Sequence, residues 1–239
     1  MGLFDKKTCD ICGGKIGLLG NRKLEDGNMC KDCASLLSPF MTDRRKTTVD
    51  EIKEHLAYRE ENKKSVSAFN LTRTIGTATR VLFDEDAQKF IVTSSNRWQS
   101  ENPDVMDFSQ VTGCHTEVKE TREEIKREGK DGTKISYNPP RYDIDYDFNV
   151  TINVNSPWFS DISFKINSSR IEERLSVEYR EAEKQAEEIR HVLTAVRQDV
   201  RDNVRVANAP KVAKICPLCG ASSIPDANGC CEYCGGAMG

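Results

Sequence analysis

From about residue 71 the apolar positions recur with a period of two, while residues 47–64 and the stretch after residue 171 carry helix signals. The plainest strand is at 142–154, where Tyr142, Ile144, Tyr146, Phe148, Val150, Ile152 and Val154 alternate with polar residues without a break. One face of that strand is expected to be buried. Runs at 74–83 and 89–94 flank Asp84-Glu-Asp-Ala87, a hairpin turn by composition. Residues 106–118 form a further run, with Phe108, Val111 and Val118 as its apolar positions. Charge dominates 121–134, which turns at Gly129-Lys-Asp-Gly132 and reads as an exposed hairpin arm. Pro139 and Pro140 follow, and 158–166 adds another strand rich in β-branched and aromatic residues.

Two helices frame these strands. In the first, Thr47 or Thr48 supplies the cap, Asp50 and Glu51 suit the first turn, and Ile52, Leu56 and the Arg59 stem line one side. Nearly every other position is charged, which predicts a solvated connector over 47–66. The second starts between Ile171 and Val177 and ends near Asn203. Its apolar positions, Tyr179, Ala182, Ala186, Ile189, Leu193, Val196 and Val200, follow a 3-4 spacing. That stripe predicts core packing. The alternative is that the part beyond Leu193 pairs with another chain, making the 177–203 helix a homo-oligomer contact.

Composition narrows the function classes. The 239 residues allow one large domain or two to three small ones. Lys+Arg 35 against Asp+Glu 38 leaves a net charge of −3, which argues against coating nucleic acid or anionic membrane by bulk charge. No apolar run approaches the ~20 residues of a membrane span. The start, Met-Gly-Leu-Phe-Asp-Lys-Lys, lacks the apolar core of a signal peptide. A cytoplasmic location is expected.

Eight of the ten cysteines fall into four Cys-x-x-Cys pairs. Without an export signal such pairs read as metal ligands rather than disulfides. Cys9, Cys12, Cys30 and Cys33 form one set, with seventeen residues between the pairs; Cys216, Cys219, Cys231 and Cys234 form another, with eleven. Both spacings suit a tetrahedral Zn²⁺, so two structural zinc ions are expected. Gly13 and Gly14 let the backbone turn tightly after Cys12, and Pro39 stops the helical turn that follows Cys33. In the second set both pairs read Cys-x-x-Cys-Gly. Cys230 takes the place of a packing residue before the third ligand, and a register shifted to Cys230 would be less regular. With all eight ligands ionised and two ions bound, the chain falls to about −7. The first module (1–46) falls to about +1, and 205–239 to about −1. Neither is the basic face of a nucleic-acid finger.

A knuckle followed by a ligand pair on a helix start resembles a treble-clef finger, and the second set resembles a bacterial zinc ribbon. Five to seven strands followed by one amphipathic helix resemble a pleckstrin-homology-like (PH-like) domain, a bent β-barrel plugged by its helix. The whole resembles an uncharacterised bacterial family marked by Cys9-Asp-Ile-Cys12-Gly-x-Lys15-Ile-Gly17, with Leu24-Glu-Asp-Gly27 before Cys30. The resemblance implies an α+β chain. Its parts are a zinc finger at 1–46, the helical connector at 47–66, and a PH-like domain at 67–203. A flexible linker at 204–214 leads to a zinc ribbon at 215–239.

Candidate chemistry is sparse. No GxxxxGK[ST], GxSxG or HExxH motif occurs. His55 and His191 lie in charged helices and read as surface residues. Cys114 and His115 are adjacent on a strand and so point to opposite faces, against a nucleophile–base pair. Asp143, Asp145 and Asp147 share a strand face that reads as solvated rather than cation-binding. A non-enzymatic scaffold or adaptor, partnered by another protein, is the favoured function. Nucleic-acid binding through Arg22, Lys23, Arg44, Arg45 and Lys46 is the alternative. A peripheral membrane role, through Leu3 and Phe4 beside Lys6 and Lys7, is the third.

Overall fold

The computed structural model describes residues 7–129, 131–207, 213–226 and 229–238; side chains at 196–207 are outside it. The chain divides into two compact units, Met1–Arg197 and Gln198–Gly239.

The first unit opens with a finger. A short hairpin, β1 (Arg22–Lys23) and β2 (Asn28–Met29), is followed by one helical turn, α1 (Lys31–Ala34). Leu24 and Met29 are fully buried with Ile16 and Ile52 in a small core. Helix α2 (Val49–Ala68) begins with a complete capping box between Thr48 and Glu51. Asp26 also accepts a hydrogen bond from the Val49 N–H.

The buried positions of α2 are Ile52, His55, Arg59, Asn62 and Val66. This is a 3-4-3-4 stripe written mostly in polar residues, so α2 is not the solvated connector its charge suggests. Its first turns pack Ile52 into the finger core. Its last turn packs Val66 with Phe69, Leu82, Ile91 and Trp98 against the first sheet. Between them lies a hydrogen-bonded lock. The Arg59 guanidinium donates to the Leu36 carbonyl at 3.2 Å, the Asp104 carboxylate at 2.7 Å and the Asn102 carbonyl. Asp104 also accepts from the Ser38 hydroxyl at 2.7 Å. Asn62 donates to the Pro103 carbonyl and accepts from the Val105 N–H. Finger, helix and sheet are thereby joined through groups that would be costly to bury unpaired.

His55, expected at the surface, is 0% exposed. Its Nε2 accepts the Ser38 N–H at 3.0 Å, so the ring is neutral and its proton sits on Nδ1. Burial, then the charge of Arg59, lower its pKa to about 4. The unfolded chain, with an ordinary histidine near 6.5, therefore binds the proton more readily than the fold. The stabilisation is complete above about pH 6.5 and is lost as pH falls toward 4. About 2 kcal/mol is expected to go between pH 7 and pH 5. Urea titrations at both pH values should show that loss in the native chain and a shallower slope in His55→Gln.

Two antiparallel sheets follow. The first has order β3 (Arg73–Ile75), β4 (Arg80–Asp84), β5 (Lys89–Thr93), β6 (Val105–Asp107), with helix α3 (Trp98–Glu101) between the last two. β4 and β5 form the hairpin expected at residues 84–87, with Val81 opposite Val92 and Phe83 opposite Phe90. These strands are apolar on both faces because both are covered. Val81, Phe83, Phe90 and Val92 enter the main core, while Leu82 and Ile91 meet α2 and Trp98.

The second sheet has order β7 (Val111–Glu128), β8 (Lys134–Val154), β9 (Asp161–Lys165). A 3-10 turn at Phe108–Gln110 separates β6 from β7, so 106–118 is not one strand. The β7–β8 hairpin is the expected charged arm. Its strand runs through Pro139 and Pro140, which fall in a register break: Arg141 faces Ile125 and Ser136 faces Lys126, so residues 137–140 are left out of the ladder and a missing N–H breaks no pairing there. The alternation at 142–154 is buried from Tyr146 onward, and Tyr142 is exposed on the arm.

Helix α4 (Val177–Ala207) covers this face. Tyr179, Ala182, Ala186, Ile189 and Leu193 lie in one core with both sheets, and the Tyr179 ring meets Tyr146 and Phe148 edge-on at 5.2 and 4.9 Å. Val196, Val200 and the proposed self-pairing segment beyond Leu193 fall largely among the undescribed side chains. The pairing is of two open sheets, four-stranded and three-stranded; no closed barrel forms among the described strands.

The second unit contains β10 (Lys214–Ile215) paired with β11 (Ser222–Ser223) and a core of Cys216, Cys231 and Met238. Most of the linker at 204–214 falls outside the described residues or side chains.

Candidate metal centres

In the finger, the Cys9 N–H donates to the Gly14 carbonyl and the Gly13 N–H to the Cys9 carbonyl, both at 2.8 Å. The loop needs Gly13 at φ +72°, a conformation costly for any residue with a Cβ. Its partner pair opens α1: Cys30 is the N-cap, and its sulfur accepts the Cys33 N–H at 3.3 Å. The Cys30 N–H donates to the Cys9 sulfur at 3.2 Å, tying the two pairs together. Gly27 is needed for a different reason. A Cβ there would lie 2.5 Å from Val49 and 2.8 Å from the Asp10 carboxylate, which itself accepts the Asn28 N–H.

The second unit uses the knuckle twice. The Gly220 N–H donates to the Cys216 carbonyl at 2.9 Å, and the Gly235 N–H to the Cys231 carbonyl at 2.8 Å, both glycines having positive φ. Cys230 is not among the four clustered thiols; its N–H donates to the Asp226 carboxylate.

The sulfurs of Cys9, Cys12, Cys30 and Cys33 lie within 4.8 Å of one another, and so do those of Cys216, Cys219, Cys231 and Cys234. Individual separations are 3.9 Å for Cys9–Cys33, 3.8 Å for Cys12–Cys30, 3.5 Å for Cys216–Cys234 and 3.8 Å for Cys219–Cys231. A disulfide needs about 2.05 Å. Four thiolates about 2.3 Å from one tetrahedral ion would be about 3.8 Å apart, so the donor sets fit a metal ion.

The electrostatics suit a site that could hold a cation. For Cys9, burial raises the pKa, but the N–H groups of Cys12, Cys30 and Ile11 outweigh it and bring it to about 6. Burial and the neighbouring thiols push Cys33 strongly up. In the second set, the Ser223 hydroxyl and backbone N–H groups bring Cys231 to about 6. For Cys234 the Gly236 N–H pulls down, yet the neighbouring thiols raise it to about 12. Four thiolates in one cluster repel, and a divalent cation removes that conflict.

The other sequence candidates separate. Cys114 is half-buried against the core and His115 is exposed. Burial raises Cys114 to about 11, the reverse of an activated thiol. Asp143 and Asp145 pair with Arg170, and Asp147 with Lys165 at 2.8 Å. Leu3, Phe4 and Lys6 lie outside the described residues. The network of Ser38, Arg59, Asn62 and Asp104 escaped the sequence reading; its one signal was the heptad-like spacing of polar residues on α2. No helix among the described residues is long and apolar enough to cross a membrane.

Residues 8–55 match a family model described as a domain of unknown function (DUF4428), a span that runs from the finger to His55 of α2. No curated protein and no solved structure matches the chain.

Proposed function

We propose that the chain is a cytoplasmic, non-enzymatic adaptor. Two structural Zn²⁺ ions hold its treble-clef-like finger and its ribbon, and a PH-like central body offers the surface for another protein. The observation that carries this reading is the closure of both thiol cages. Each draws four ligands from the chain, and a four-coordinate zinc so held keeps no position for water or substrate. The split of seven strands into four and three, followed by α4, supports the PH-like assignment. The ion pairing of the aspartates and the raised Cys114 thiol support a non-catalytic body.

Elemental analysis beside native mass spectrometry on untagged protein tests the metal part. Two zinc ions per chain are expected, and one in a Cys12→Ser or a Cys219→Ser variant. Iron, or disulfides in place of metal, would overturn it. A hydrolase or transferase activity that follows the protein through purification and disappears with one polar side chain would overturn the non-enzymatic part.

A further inference from the structure

The finger carries an apolar tip that its own core does not use. The Gly20 N–H donates to the Gly17 carbonyl at 3.0 Å, closing a tight turn whose central residues are Leu18 and Leu19. Their exposures are 85% and 89%. Turn positions favour Gly, Asn, Asp or Ser for their backbone conformations and local hydrogen bonds, and two adjacent leucines supply neither. Ile16, at the root of the same loop, is buried in the finger core, so the turn is anchored while its leucines project.

Cations surround that root. Thr8 bridges to Lys15, and the Ile16 N–H donates to the Lys7 carbonyl, which puts both lysines beside the turn. Arg22 donates to the Leu19 and Asn21 carbonyls. Arg44 reaches the Lys23 carbonyl at 2.9 Å. Burial, then the charges of Arg22 and Arg45, hold Arg44 below its ordinary value. In this part of the finger the carboxylate pairing among the described residues is that of Asp43 with Lys46, which leaves Lys7, Lys15, Arg22, Lys23, Arg44 and Arg45 without acidic partners.

We propose that this tip docks on an anionic lipid surface, with Leu18 and Leu19 entering the interface and the surrounding cations meeting the head groups. Exposed leucines on a convex turn gain nothing from a phosphate backbone and cannot stack on bases, so the pairing favours lipid over nucleic acid. An apolar insertion together with a basic rim is the two-part anchor that reversible membrane attachment needs. The segment differs from Leu3 and Phe4, and the inference rests on the proposed function only in taking the finger as zinc-loaded.

The test is co-sedimentation of the zinc-loaded 239-residue chain with phosphatidylcholine vesicles, either plain or containing about one third phosphatidylserine. Binding to the anionic vesicles that weakens as salt rises is expected. Leu18→Ser/Leu19→Ser should lower partitioning by roughly tenfold, and Arg22→Gln/Arg44→Gln by a similar factor, with zinc content unchanged. Absence of binding to anionic vesicles would overturn the proposal, as would binding indifferent to the leucine substitutions. So would tighter binding to a short DNA duplex that the leucine variant retains in full.

Discussion

Chelating the metal under reducing conditions is expected to unfold residues 213–238 as a unit while the two sheets of the first unit stay folded. The second unit has little else among its described residues to hold it. Its core is Cys216, Cys231 and Met238, two of which belong to the thiol cluster, and its strands are two residues each. Segments below about 40 residues rarely bury enough surface to fold without a metal or disulfide. Binding of a structural zinc is worth about 10–16 kcal/mol at neutral pH, and in such a segment that binding is the folding free energy. Hydrogen exchange reads the outcome directly. Protection at the Gly220 and Gly235 amides should vanish in the metal-free chain and in Cys219→Ser, while Val81, Phe90 and Ile152 remain protected. The finger should respond less completely, because Leu24, Met29 and Ile52 retain an apolar core when the thiols are released. Persistent protection of 213–238 in a metal-free sample would refute the assignment.

The second large effect is expected at the lock on α2. Arg59→Met leaves the Asp104 carboxylate, whose side chain is 0% exposed, facing only the Ser38 hydroxyl and backbone. Burial already pushes that carboxyl upward, against the pull of Arg59 and Ser38. Removing one partner of a buried ion pair typically costs about 3–5 kcal/mol. In a unit of this size that corresponds to a melting point lower by roughly 10 °C. Replacing both partners, Arg59→Met with Asp104→Leu, removes the stranded charge and should recover much of the loss. The measurement is a denaturation series on the native chain, the two single variants and the double variant. A single-variant loss under about 1 kcal/mol, the range of a surface pair, would show that the lock does not hold finger to sheet.

How much could be read beforehand differs between elements. The two four-cysteine clusters were legible because each Cys-x-x-Cys pair is a local device that composition marks. Strand β8 and helix α4 were legible because apolar alternation and a 3-4 stripe state which side leaves water. The run at 106–118 is not one strand, and its apolar pattern does not show the 3-10 turn that interrupts the chain after Asp107. The described strands form two open sheets, four-stranded and three-stranded, with the 3-10 turn at Phe108–Gln110 between β6 and β7, an arrangement that the order of elements alone does not specify.

By itself, then, the sequence determined both thiol cages, the charged arm, the capped start of α2 and the buried face of α4. Each depends on residues close in the chain or on one repeating period. Tertiary structure alone decided that His55, Arg59 and Asn62 are interior. Partners make that burial possible, and those of Arg59, Asn62 and the His55 Nε2 come from Leu36 and Ser38 in the finger and from residues 102–105 beside the first sheet, while the His55 Nδ1 is buried without one. Hydropathy cannot register that arrangement, because the groups that make burial affordable lie up to 45 residues away.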